Sequence, residues 1–340
     1  MSLRVLFFIC ICIATDVRAD NIWLRGSNNP IECKVLSGGV DGLHVELPHE
    51  SSTSLFPWSS IAEITTDIPR PALKKYVQQG EKIWRSKVRF LRGDLKLSEP
   101  SFALLFRELT GTSGEDSRVV SEGLLRCYVA SGNLRDALHP WLETVRLEEL
   151  GVASPYPDLL PVLDPSTMLC SHLPPLWPLD SYTVPLLEKY KNSKLKTTSS
   201  IAKLLLMQNT NETLLPIEGV DDPDFLVQII GSARGVSQLQ STLLTPQKEM
   251  LPWKDAWSNY FHAISLLQNN SEETRVNALL LLSKVSAQNQ TAVPWLSGAA
   301  MLRLADELER DELTEEAHRI RIEARSLFPT HPLLHKGIPK

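Results

Sequence analysis

The sequence predicts a mainly α protein, an array of α-hairpins forming a solenoid, preceded by a small antiparallel β barrel or meander. Three observations carry this prediction. Apolar residues between positions 20 and 68 alternate with period two, those from Pro69 onward recur at helical spacing, and a set of small-residue landmarks repeats 39 residues apart. With 340 residues, 43% apolar and 22% charged, and 23 Pro against 16 Gly, the composition excludes a disordered chain, a collagen-like chain and a polytopic membrane protein.

Residues 1–19 read as a signal peptide. Arg4 supplies the basic start, Val5 to Ala14 the apolar stretch, and Val17-Arg18-Ala19 the small-residue site expected to be cut before Asp20. Ten apolar residues rise only about 15 Å as a helix, half of a bilayer core of roughly 30 Å. The expectation is therefore an exported protein, periplasmic or secreted, with no integral membrane span after cleavage. The 35 basic against 40 acidic residues leave a formal charge of -5. Nucleic-acid affinity comes largely from basic side chains displacing counterions, so nucleic acid is not the expected partner. The one basic run, Lys189, Lys191, Lys194 and Lys196, reads as a solvated helix end.

In the 20–68 module, Ile22-Trp23-Leu24, then Ile31, Cys33 and Val35, then Leu43, Val45 and Leu47 mark strands. Gly38-Gly39 and Asp41-Gly42 mark tight turns. Leu55-Phe56-Pro57-Trp58 followed by Ile61 and Ile64 fits a strand, a one-turn helix and a closing strand. In order and size the module resembles the small SH3-like or Sm-like barrels. His44 and His49 read as surface histidines.

A helical block is expected over 69–151. Pro71 opens a helix whose stripe is Leu73, Val77, Trp84, Val88 and Leu91. Gly93 is followed at fixed offsets by Ser98 and Phe102, and 39 residues later Gly132 is followed by Ala137 and Trp141. Near the C-terminus Ala278 and Leu282 recur at the same displacement as Ala317 and Arg321. Together with Tyr128 before Gly132 and Pro329 after Ala317, this order resembles the tetratricopeptide family in degenerate form. The resemblance implies helix hairpins in which a small residue opens the second helix, a large one follows a turn later and a proline closes the unit. Glu312, Arg321 and Glu149 depart from it, standing where a turn glycine, a large apolar residue and a closing proline are usual.

Residues 152–185 carry eight prolines, which forbid a continuous helix and favour extended chain. Pro174, Pro175, Trp177 and Pro178 are either a partner-contact strap or part of an ordered segment sealing the space between helical blocks. A second helical block is expected over 186–334, with Asp221, Asp222 and Asp224 capping one of its helices.

Signatures of catalysis are mostly missing. The chain has no zinc-binding H-E-x-x-H, no nucleophile elbow and no phosphate-cradling glycine loop. Gly231-Ser232-Ala233-Arg234-Gly235 follows a helix and reads as a helix stop, and His139 as a packed imidazole. Glu307, Glu309 and Asp311 read as a solvated helix face, Cys33, Cys127 and Cys170 as separately buried thiols. Asn211, Asn269 and Asn289 begin glycosylation-type triplets. The expected function is a non-enzymatic scaffold that binds a protein or peptide through a helical-repeat groove, with no cofactor and no metal. The alternative is an accessory subunit or an uncharacterised enzyme of the cell envelope.

Overall fold

A computed structural model describes residues 20–48, 52–173, 179–233, 250–268, 271–329 and 331–335. The chain divides into two compact units, Met1–Trp84 and Arg85–Lys340, and the division falls inside the first helix, α1 (Pro71–Leu91). The signal-peptide reading of 1–19 lies outside the described residues, as does His49.

The first unit is built on five strands, β1 (Asp20–Leu24), β2 (Ile31–Gly39), β3 (Gly42–Glu46), β4 (Thr53–Phe56) and β5 (Ile61–Thr65). They form one antiparallel sheet in the order β4-β3-β2-β1-β5, with a one-turn 3-10 helix, Trp58–Ser60, between β4 and β5. The barrel expected from the alternation is corrected here to an open sheet. Closure requires β4 to pair with β5, and among the described residues those strands remain two separate edges. Alternation does place the core as expected: Ile22, Cys33, Val35, Leu43 and Val45 point inward and are joined by Trp58, Ile61 and Leu73. Trp58 is the centre of this core. Its ring stacks on Tyr76 at 5.1 Å and its Nε1–H donates to the Gly39 carbonyl at 2.7 Å. Gly80 makes the approach of α1 possible, because a Cβ there would run into the main chain of Trp58.

The second unit is helical. After the end of α1 come α2 (Leu95–Leu109), α3 (Glu115–Ser131), α4 (Leu138–Glu149), α5 (Thr183–Lys191), α6 (Lys196–Met207), α7 (Phe225–Ala233), α8 (Pro252–Leu266), α9 (Glu272–Gln288), α10 (Pro294–Arg310) and α11 (Thr314–Leu327). Chain neighbours pack in pairs, α2 with α3, α3 with α4, α5 with α6, and α8 through α11 in succession. The molecule is thus mainly α with a small N-terminal sheet.

The repeat landmarks fall on one recurring backbone feature. Gly93, Gly132 and Glu312 each follow a helix with a left-handed φ, of +83°, +72° and +63°. Five residues after each, Ser98, Ala137 and Ala317 are fully buried. Nine residues after each stand Phe102 and Trp141, both buried, and Arg321, which instead ion-pairs with Asp306 and Glu309. Ala278 and Leu282 are buried in α9, Tyr128 is half-buried, and Pro329 is exposed just after α11. Glu312 takes up the conformation that a glycine adopts at the other two turns.

The described part of the proline segment enters the core. Val162, Leu163, Leu169, Cys170 and Leu173 join one apolar cluster with residues of α3 to α10, and Trp141 donates its Nε1–H to the Met168 carbonyl at 3.2 Å. Asp164 accepts from Ser166 and Thr167, folding the segment into a tight loop that Lys254 of α8 contacts through the Ser166 hydroxyl. Pro174, Pro175, Trp177 and Pro178 lie outside the described residues.

Glu312→Gly should raise stability by about 1 kcal/mol, because glycine adopts a left-handed φ without the clash that a Cβ brings. Urea denaturation would register this as a higher midpoint at unchanged slope. Gly80→Ala should lower stability by roughly 1–3 kcal/mol through overpacking against a backbone that cannot turn aside, measurable as a lower melting temperature.

Candidate binding groove

Among the carboxylates that the second unit buries, Glu143 and Glu122 lie between the helices that form the groove. Glu143, on α4, is 1% exposed. Its Oε1 accepts from the Gly111 backbone N–H at 2.7 Å and from the Arg146 guanidinium at 2.6 Å, and its Oε2 accepts from the Tyr190 hydroxyl at 2.7 Å. Arg146 in turn donates to the Thr112 carbonyl. One side chain therefore joins the α2–α3 turn, α4 and α5. Glu122, on α3, is held in the same manner by Arg118, Arg126 and the Ser154 hydroxyl. Glu149, at the end of α4, accepts from the first free backbone N–H groups of α6, at Thr197 and Thr198, and so caps that helix from outside it.

On this frame lies an open groove of about 630 Å³. Phe106, Arg107 and Thr110 form the wall from the end of α2, Tyr128 comes from α3, and Tyr182 and Lys189 form the wall from α5. His139 lies at its base, one turn before Glu143. Its ring meets Phe106 edge to face at 4.8 Å and Tyr190 at 5.8 Å, and its Nε2 is buried without a hydrogen-bond partner. Burial, with the charge of Lys189, lowers the His139 pKa to about 4 against a small upward pull from Glu143. The imidazole is neutral at neutral pH.

Neither Arg107 nor Lys189 forms an ion pair among the described residues, although Lys189 lies over the Tyr190 ring at 5.4 Å. Asp136 is the acid at the rim, and it accepts from Asn133. Burial raises the pKa of Tyr128 and Tyr182, so both phenols keep their protons as hydrogen-bond donors. Burial raises Tyr190 too, reinforced by the Glu143 charge. Burial alone would raise Glu143, but the donors from Arg146, Tyr190 and Gly111 outweigh it and the pKa is lowered. These groups are suited to holding a ligand: aromatic faces, phenol donors and two unpaired cations on a rigid base.

Of the repeat residues singled out by spacing, Tyr128 lines the groove, while Phe102, Ala137 and Trp141 are buried and Gly93, Ser98 and Gly132 form helix turns and starts. Ala278, Leu282 and Ala317 belong to the packing of α9 to α11. Lys189 is exposed, as a solvated helix end should be, and it also forms a groove wall. Spacing did not single out Arg107, Glu143, Tyr182 or Tyr190. The reading of Glu307 as solvated is corrected. It is 1% exposed and surrounded by Arg275, Arg303 and Arg310 at 2.8–3.3 Å, because the helix face it occupies turns toward α9 and not toward water. Glu309 and Asp311 are exposed and ion-paired. Asn211 is exposed, Asn289 is buried at the end of α9, and Asn269 lies outside the described residues.

The lowered pKa of His139 sets a direction for acid stability. An unfolded histidine titrates near 6.5, above the folded value of about 4. As the pH falls the unfolded chain therefore takes up the proton first, and stability is lost through the window from about 6.5 down to about 4, by ~3 kcal/mol in all. His139→Leu should flatten the change in urea midpoint between pH 7 and pH 4.5. A smaller slope should remain from His172 and His331, whose pKa values burial also lowers.

Among the described residues no group of histidine, cysteine and carboxylate side chains is placed to hold a metal ion, and no helix is long and apolar enough to cross a membrane. No protein-family model, curated protein or solved structure matches the chain.

Proposed function

We propose that this protein is an exported, non-enzymatic binding or assembly protein that takes an extended segment of a partner protein into the α2–α5 groove. The observation that carries the reading is the pairing of aromatic walls with Arg107 and Lys189, two cations that form no ion pair among the described residues, in a unit whose other described arginines are largely ion-paired. Such a surface suits a segment with an aromatic or branched apolar anchor flanked by carboxylates, since rim charges select partners and speed encounter while the apolar anchor supplies affinity. Binding is favoured over turnover because burial moves the groove's His139 down and its Tyr128 and Tyr182 up, away from neutrality, and an acid or base catalyst works best with a pKa near the working pH.

The degenerate tetratricopeptide-like reading of the helices belongs to the same proposal. Its support is the left-handed turn residue, small buried residue and large residue recurring at one spacing. The SH3-like reading of the first unit is supported by five antiparallel strands with a single 3-10 turn before the last. Export, to the periplasm or outside the cell, rests on residues 1–19 alone. The acidic net charge favours a protein over a nucleic acid as partner.

The test is selection from a peptide display library on the full-length protein and on the double variant Arg107→Glu, Lys189→Glu. The wild type should enrich acidic segments with an apolar anchor, and the variant should lose them at least tenfold while keeping its helical circular dichroism. Identical enrichment on both proteins would reject the groove as the site.

A further inference from the structure

The first unit has its own unassigned surface, along β5. This strand pairs only with β1, so its outer side carries ladder N–H and C=O groups with no strand partner among the described residues. Unpaired edges of this kind are templates for another strand. Natural sheets usually blunt them with charge, proline or a covering element. Here the edge opens instead onto a groove of about 440 Å³ between β5 and the start of α1. Ala62 and Ile64 line one side, Leu73 and Val77 the other, and Pro69 the end. The volume lies in the lower part of the range typical of ligand pockets, ~300–1,000 Å³. Ile68, beside Pro69, is an isoleucine 72% exposed, which adds apolar surface next to the groove.

The charges give this groove a direction. Its rim carries Arg70 and Lys74 against a single acid, Glu63. Arg70 donates to the neutral Leu36 carbonyl, and Lys74 has no ion pair among the described residues. Both stand in or next to the first turn of α1, which contains no acidic residue, so the positive end of the helix dipole adds to their charge.

We propose that the β5 edge is a strand-addition site for an extended segment of a partner protein, with apolar residues on the face turned into the groove and carboxylates toward Arg70 and Lys74. Main-chain bonds to β5 supply affinity, and the groove and the cations supply selectivity. A second copy of this chain fits less well. Antiparallel self-pairing centred on β5 sets Glu63 against Glu63, and like charges directly opposite destabilise a strand pair. The other free edge, β4, has no charged residue to offer the rim.

The experiment uses the full-length protein and fluorescein-labelled peptides of alternating valine and threonine flanked by glutamates, so that the carboxylates reach Arg70 and Lys74 from the end of the strand and not from the face of Glu63, read by fluorescence anisotropy and by hydrogen exchange. The expected result is saturable binding, at least tenfold weaker when glutamate is replaced by lysine, with slowed exchange at residues 61–66. Peptides N-methylated along one backbone edge or the other separate main-chain pairing from simple apolar contact, since one of the two should lose binding at least tenfold. Lys74→Glu should weaken the glutamate peptide at least tenfold and leave the melting temperature in place. Equal binding of both N-methylated peptides, or an unchanged affinity in Lys74→Glu, would overturn the proposal. Protection over 138–191 in place of 61–66 would also overturn it and assign the peptide to the α2–α5 groove. A concentration-dependent dimer with 61–66 protected in the absence of peptide would overturn it in favour of a second copy.

Discussion

Glu143 is a carboxylate with almost no contact with water, and three separate parts of the chain keep it ionised: the Gly111 N–H from the α2–α3 turn, Arg146 one turn along α4, and the Tyr190 hydroxyl from α5. A buried charge that loses a partner costs several kcal/mol, so none of these elements can drift without a large penalty. The same elements form the groove: α2 ends in one wall, α5 forms the other, and α4 supplies His139 at the base. The separation of Arg107 and Lys189 is consequently set by the geometry around a residue that no ligand touches. This division is common in binding proteins, where contact residues are positioned by a rigid layer that is itself out of reach.

Local signals in the sequence carried the fold a long way. Strand alternation placed Ile22, Cys33, Val35, Leu43 and Val45 in one core, and the 39-residue displacement picked out Gly93 and Gly132 as turn residues, which prove to be left-handed, with Ser98 and Ala137 behind them. The failures lie where the determinant is not local. Whether five alternating strands close into a barrel depends on the pairing of β4 with β5, and alternation within each strand contains no information about that pair. Glu312 shows the opposite case. Its identity breaks the repeat pattern while its backbone obeys it, because packing of α10 against α11 fixes the turn whichever residue occupies it.

The groove was less legible for a related reason. Glu143 and Tyr190 are 47 residues apart, and nothing in either neighbourhood names the other. A weak sign was present in α4: Trp141, Leu142, Thr144, Val145 and Leu147 leave the helix little solvent-facing side, so a charge among them has to be satisfied internally. Glu307 was misread by the same logic, since a cluster of acids on a helix looks solvated until the partner helix that covers it is known. In both cases arginines answer the buried carboxylate, and their planar, multi-donor groups suit that role better than lysine does.

The three cysteines follow from burial in a different way. Cys33 in β2, Cys127 in α3 and Cys170 in the proline segment are all buried free thiols, and burial pushes their pKa values up to about 11, about 12 and about 12. Since the thiolate is the reacting species, each is nearly inert while its surroundings stay closed. The molecule thus carries its own set of opening clocks, one in the sheet, one in a core helix and one in the segment threaded between helices. The rate at which each accepts a thiol reagent reports how often that part of the fold comes apart.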